Sequence, residues 1–280
     1  MLVEAPLPLE QGKKLAQRPE RIFFLLNCVW MPDSARFNYD EIADAYAAGV
    51  DDAPYNAHYE RPATLALLPD VAGAHVLDAG CGSGFYTEEL VRRGAHVTAI
   101  DASTQMARHA EQRLAELGLL ARDTNTLETG TASVRVADLA QPLTFLGDRS
   151  VDGILSPLVM HYLRDWAPTL DEFRRVLRPE GWLLISTHHP ATEAHRFDTP
   201  DYFETEELED YWSWVGRVRF FRRPLTSITG ALTDAGFVID RLVEPRPTEE
   251  FRDMNPESFK RILKRPEFLL IRGRLTEEVR

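Results

Sequence analysis

Three glycines alternate in the run Val76-Leu77-Asp78-Ala79-Gly80-Cys81-Gly82-Ser83-Gly84, with an acid two places before the first of them. Glycine lets a strand bend sharply into a helix and lets backbone come close to a ligand, and a helix N-terminus offers N–H groups to an anion. A second acid, Asp101, stands 21 residues after Gly80 and closes the apolar run Val97-Thr98-Ala99-Ile100. A carboxylate there accepts hydrogen bonds from the two hydroxyls of a ribose. Together these positions describe a site for an adenosine-bearing ligand at the carboxyl ends of neighbouring strands. The nicotinamide fingerprint needs Gly or Ala two residues beyond Ser83, and Phe85 stands in that place.

Other groups with chemistry lie further along. His161 and Tyr162 follow the apolar run Val151-Asp152-Gly153-Ile154-Leu155. A histidine there can take a proton from an acceptor hydroxyl or amine, or simply shape a pocket. His188 and His189 follow Trp182-Leu183-Leu184-Ile185-Ser186. Neighbouring side chains on a strand point opposite ways, so the pair does not suit one metal ion, and no metal is expected. Cys81 has no basic neighbour and reads as a packing residue. Tyr46 and Tyr59 precede the glycine run and are candidates for lining the site. His189 to Arg223 is dense in aromatic residues, and Tyr211, Trp212, Trp214 and His188 are candidates for holding a substrate by stacking.

The elements that position these groups alternate in period. Asn38 to Val50 has helical spacing, and a second helix is predicted to open near Pro62. Ser103 suits a helix N-cap, with Met106, Ala110, Leu114 and Leu117 on one stripe before Gly118. Pro168 and Pro224 introduce further helices, and Val134-Arg135-Val136, Phe237-Val238-Ile239 and Phe268-Leu269-Leu270-Ile271 read as strands. Strands alternating with helices imply βαβ units and a parallel, doubly wound sheet. Residues 189–223 break the rhythm and read as a cap over the ligand edge. Residues 1–37 read as an N-terminal extension to a domain of 38–280. The net charge of −12 disfavours broad binding to nucleic acid, and Arg217-Val218-Arg219-Phe220-Phe221-Arg222-Arg223 reads as a solvated rim. There is no apolar run of membrane-spanning length, no secretory layout at Met1-Leu2-Val3-Glu4, and only two cysteines, so a cytoplasmic monomer or homodimer with no membrane partner is expected.

Asp78 followed by Gly80-x-Gly82-x-Gly84 resembles the first motif of class I S-adenosylmethionine-dependent methyltransferases, of the bacterial small-molecule type. The resemblance runs from about Asn38 to Arg274. It implies a Rossmann-like seven-stranded sheet of order 3-2-1-4-5-7-6 with strand seven antiparallel, and S-adenosyl-L-methionine as cofactor. Asp101-Ala102-Ser103-Thr104-Gln105-Met106 is similar to the family's second-strand motif, in which the acid holds the ribose and the methionine packs on the adenine. Asp138-Leu139 is similar to the pair near the adenine amino group, and Ser156 falls where strand four meets the ligand. Leu177-Arg178-Pro179-Glu180-Gly181 looks like the turn before strand five, with Glu180 in place of a glycine. The expected reaction is in-line methyl transfer to a small, partly aromatic or apolar acceptor. An enzyme of the same fold that binds the cofactor for a non-transfer reaction such as cyclisation is the alternative, as is a non-catalytic cofactor-binding protein.

Overall fold

The computed structural model describes residues 40, 42–121, 130–212 and 215–276. The expected N-terminal extension, the first residues of the predicted 38–50 helix and Trp214 lie outside the described residues. Among those described, the chain runs α1 (Ala43–Gly49), a π-helical turn (Asn56–Glu60), α2 (Arg61–Leu67), β1 (His75–Ala79), α3 (Phe85–Arg92), β2 (His96–Asp101) and α4 (Thr104–Glu116). It continues through β3 (Ala132–Val136), β4 (Val151–Pro157), a 3-10 turn (Met160–Tyr162), α5 (Ala167–Val176), β5 (Leu177–His188) and α6 (Pro190–Arg196). The last part is β6 (Glu206–Trp212), β7 (Gly216–Arg222), α7 (Leu225–Asp234), β8 (Phe237–Val243), α8 (Glu249–Met254), α9 (Pro256–Ile262) and β9 (Phe268–Leu275).

Seven strands form one sheet of order β3-β2-β1-β4-β5-β9-β8, and β6 and β7 form a separate two-stranded sheet. Pairing is parallel from β3 to β5, and β9 runs antiparallel to both neighbours. This is the expected 3-2-1-4-5-7-6 order, since β8 and β9 are the sixth and seventh strands of that sheet. Both faces are covered, so β1 is wholly buried, with Val76, Leu77 and Ala79 apolar. Its Leu77 joins α5 and α7 on one face, while Val76 joins α3 and α4 on the other. The parallel pairing brings the carboxyl ends of β1, β2, β4 and β5 to one edge.

The local signals explain the elements. The Ser103 hydroxyl accepts the Met106 N–H and so caps α4, whose Met106, Ala110 and Leu114 are buried. Leu117, predicted for the same stripe, is at the C-cap and exposed. Helical structure before β1 begins earlier than Pro62 suggests. Pro62 is the second residue of α2, where a missing N–H costs little, and the wider turn ahead of it carries Tyr59 and Glu60 inward. The segment predicted as a turn at Pro179-Glu180-Gly181 is part of a longer β5, with Glu180 held at φ +63°. The aromatic-rich stretch contains α6 and the β6–β7 hairpin.

Candidate active site

At the tip of β1 the chain bends through Gly80 with φ +86°. A Cβ there would lie 2.3 Å from a Val159 methyl, and one at Gly84 would lie 3.1 Å from the Ala110 backbone, so only glycine fits either place. The Gly80 and Cys81 N–H groups both donate to the Ile100 carbonyl at 2.8 Å, tying the bend to the tip of β2. Gly82 differs: a Cβ built on it meets nothing within 4 Å, so this part of the loop faces open space.

Two carboxylates flank the bend. Asp101 accepts the Gly82 N–H on Oδ2 at 2.9 Å and the Ser103 N–H on Oδ1 at 2.8 Å. Each oxygen keeps a second lone pair for a ligand hydroxyl. Burial raises the Asp101 pKa, and the two N–H bonds oppose that rise. Asp78 is 0% exposed, accepts the Thr87 hydroxyl on Oδ2 at 2.6 Å, and leaves Oδ1 buried without a partner. Burial, with the Asp101 charge adding, pushes its pKa to about 7. Cys81 is buried beside these acids, which keeps its thiol protonated and suits packing rather than nucleophilic chemistry.

The other expected residues around this edge divide. Tyr46, on α1, has its hydroxyl pKa raised by burial, and the charges of Glu60, Asp101 and Asp51 act in the same direction, so it lies within electrostatic reach of Asp101. Met106 is buried under the first turn of α4, and Ala102 is exposed beside Asp101. Asp138 accepts the Ala140 N–H at 2.9 Å, and the buried Leu139 gives its carbonyl to the Thr169 hydroxyl. Ser156 donates to the Ala79 carbonyl at 3.1 Å, joining the tips of β4 and β1. Tyr59 is wholly buried against Phe251 and Phe268, and its hydroxyl accepts the Glu267 N–H.

Sequence reasoning passed over Glu60. This buried acid accepts the hydroxyls of Thr64 at 2.6 Å, Ser186 at 2.5 Å and Tyr86 at 2.7 Å, so it joins α2, β5 and α3 behind the site. Its only sequence signal is a charge before a helical proline. The Ser186 hydroxyl also accepts the Leu158 N–H, holding Leu158 at φ +55° at the end of β4.

A second pocket opens where β4 and β5 end. Val159, which fills the space over Gly80, leads directly into the 3-10 turn that carries His161. His161 is 2% exposed and stacks on His188 with ring centroids 4.1 Å apart, while Tyr162 lies 4.4 Å from it on another side. Burial, then the charges of His188 and Arg223, lower the His161 pKa well below its ordinary value. Its Nδ1 is 3.4 Å from the Thr187 hydroxyl, and its Nε2 has no partner. Burial also lowers His188, to about 4. His189 points elsewhere, to Glu244 at 2.8 Å, as expected of neighbours on a strand.

Above the two histidines sit Phe220 and Phe221 of the hairpin, with Trp166 alongside. The side chains expected from that stretch are placed differently. Tyr211 is 72% exposed on the outer side of β6, and the Trp212 indole donates to Asp210. The basic run is largely occupied: Arg217 and Arg219 pair with Glu209, and Arg222 is buried against Glu206 and three carbonyls.

The sheet order and the glycine bend between two acids define a Rossmann-like fold with a nucleoside-binding edge. A family model described as "Methyltransferase domain" matches residues 77–185, from β1 to β5. An uncharacterized protein of Haemophilus influenzae is 27% identical over 80% of this chain and 89% of its own length. A malonyl-[acyl-carrier protein] O-methyltransferase of Pectobacterium atrosepticum is 30% identical, and the chain spans about half of it, 54% of each sequence. The crystal structure of an S-adenosylmethionine-dependent methyltransferase of Mesorhizobium loti superposes with a TM-score of 0.62 at 26% identity, covering 81% of this chain and all of that one. Residues 77–185 thus match a methyltransferase domain, on a fold shared with S-adenosylmethionine-dependent methyltransferases. Among the described residues no helix is long and apolar enough to cross a membrane.

Proposed function

We propose that this enzyme methylates an oxygen of a small, partly planar acceptor, with Asp78, Gly82 and Asp101 holding the cofactor and His161 accepting the acceptor's proton. Bound S-adenosylmethionine supplies a methyl group activated on a sulfonium, which an acceptor lone pair displaces in line. The residues present fit that group. The buried, unpartnered Oδ1 of Asp78 is what an ammonium at the glycine bend would satisfy. The open space at Gly82 gives the chain of the cofactor its path, and the spare lone pairs of Asp101 suit the ribose hydroxyls. Tyr46 and Met106 flank the ribose and adenine in this reading, with Asp138-Leu139 and Ser156 completing the rim.

The observation that carries the acceptor side is His161: a neutral imidazole with a free Nε2, buried at the carboxyl ends of β4 and β5, one turn from the residue that packs over Gly80. A neutral ring can accept a proton at physiological pH without first losing one. His188 stacks on its ring and Tyr162 packs against it at a tilt. Alignment of acceptor and methyl in a dry pocket supplies the larger share of the acceleration, on the order of 7–11 kcal/mol. The Pectobacterium relative, named for O-methylation, favours oxygen over nitrogen or sulfur. Residues 189–223 serve as the cap over this acceptor side.

Transfer itself is the test. The chain is incubated with methyl-labelled S-adenosylmethionine and a panel of phenols, enols, amines and thiols. An O-methylated product, with one S-adenosylhomocysteine formed per methyl, is the expected result. Label on nitrogen, sulfur or carbon, or a converted acceptor carrying no label, would sink the proposal.

A further inference from the structure

The pocket under the hairpin holds charges that the methyl transfer just described does not need. Arg223 is 6% exposed, with its guanidinium 4.6 Å over the Trp166 ring and one Nη donating to the Leu163 carbonyl. Its Nε–H is buried with no partner, and among the described residues no carboxylate forms an ion pair with it, although the charge of Asp165 acts on it. Glu193, on α6, is 4% exposed; its Oε2 is likewise buried without a partner, and its nearest cation is Arg196 at 4.0 Å. Both side chains line the same cavity as His161 and His188, yet the acid and the base are not paired with each other. The Nδ1 of His188 and Nε2 of His161 are unsatisfied there too. Leaving the Nε–H of a buried guanidinium and one oxygen of a buried acid without partners is costly, and evolution has easy ways to avoid it, by pairing the two side chains or by truncating them. A cavity with four unfilled polar atoms and aromatic walls is built to be completed by a ligand.

We propose that Arg223 and Glu193 are specificity residues that select an acceptor carrying both an anionic oxygen and a hydroxyl on a planar ring, that is, a hydroxy-aromatic or enolic acid. The inference rests on the methyltransferase reading of the same site and deepens it. Arg223 Nε–H takes a carboxylate oxygen, an anion that neutralises the buried guanidinium and suits its planar donors. Glu193 and the histidines take hydroxyl protons at the other end, and Phe220 and Trp166 flank the ring. Free volume in the cavity is about 10 Å3, room for one water, so such an acceptor enters only when the outer wall moves. That wall is the β6–β7 hairpin, which shares no hydrogen-bonded ladder with the main sheet and can shift without breaking it.

The test uses the full chain saturated with S-adenosylhomocysteine, with 3,4-dihydroxybenzoate, catechol and benzylamine as calorimetric probes. Dihydroxybenzoate is expected to bind at least tenfold more tightly than catechol, and benzylamine not at all. Arg223→Met should erase the tenfold preference for the acid and leave S-adenosylhomocysteine affinity unchanged. Arg223→Lys, which keeps a charge, should restore part of it. Equal binding of catechol and dihydroxybenzoate by the unaltered chain, binding of neither, or a full preference retained in Arg223→Met would overturn the assignment. The unaltered chain alone decides the matter if the variants fail to fold. Loss of S-adenosylhomocysteine binding by the unaltered chain would instead undo the methyltransferase reading beneath it.

Discussion

The edge proposed for the cofactor and the pocket under the hairpin are built on opposite plans. At the edge, the functional groups are backbone and two acids drawn from Asp78 to Met106, a single βαβ unit. The bend is tied to β2 by its own N–H groups, and Asp101 is held by two more. Asp78 Oδ1 is left over, buried without a partner. In the pocket, His161, His188, Glu193 and Arg223 come from four separate stretches of the chain, and each leaves a buried polar atom unsatisfied. A ligand common to many enzymes can be bound by a rigid, short-range device. A ligand particular to one enzyme is bound by side chains that only the finished fold brings together.

The comparison breaks first at Asp101. Asp101→Ala removes an ionised acceptor from two ribose hydroxyls, each such bond contributing about 1.5–3 kcal/mol, so the Kd for S-adenosylmethionine should rise roughly 10²–10⁴-fold. Calorimetry that finds unchanged affinity removes the edge as the cofactor site. Next comes His161→Gln, which cannot accept a proton. Turnover should fall about 10²–10⁴-fold on an O–H acceptor, with cofactor affinity untouched. In the unaltered enzyme the basic form of His161 is lost only well below pH 6.5, because burial lowers its pKa. The acid limb of kcat/KM should therefore lie below the ordinary histidine range, and a limb centred near 6.5 would assign the proton transfer elsewhere.

Glu193 sharpens the contrast through stability. Burial lifts its pKa from 4.5 to about 7, so between those values the folded chain keeps a proton that the unfolded chain has released. The folded state binds more protons, hence this group lowers stability as pH rises through that window. Glu193→Gln removes the effect, and its advantage over the unaltered chain in urea should grow from pH 5 to pH 8 toward about 3 kcal/mol. Parallel stability curves for the two proteins would show that Glu193 is not held in a dry pocket. The smallest effect is expected away from both sites, at Glu180. Its φ of +63° costs a non-glycine residue about 1–2 kcal/mol, partly offset by glycine's greater freedom when unfolded. Glu180→Gly should raise the melting temperature by the equivalent of about 0.5–1 kcal/mol and leave both ligand affinities alone.

Much of this architecture was legible in the chain itself. Alternating glycines with Asp78 and Asp101, the Ser103 cap and the apolar stripes of α4, α5 and α7 are local signals, and local hydrogen bonding and burial enforce them wherever the segment folds. Helices α8 and α9 left only faint marks, the caps Thr248 and Asn255, because both are short and take their stability from packing on Tyr59 and Phe268. Tyr59 looked like a site residue by position and type, and the structure seats it in that small core instead. Tyr211 drew notice as an aromatic in a dense stretch, but strand alternation turns it to solvent and turns Phe220 of the partner strand inward.

What sequence alone determined, then, is the αβ order, the glycine bend and the acids at its two sides, because each depends on neighbours within a turn or a strand. Tertiary structure decided that Glu60 would be buried under three hydroxyls, and that Glu193 and Arg223 would face one cavity unpaired. The reason is physical. Whether a charged side chain meets water, a partner or an empty pocket depends on which distant elements close over it, and no spacing along the chain records that.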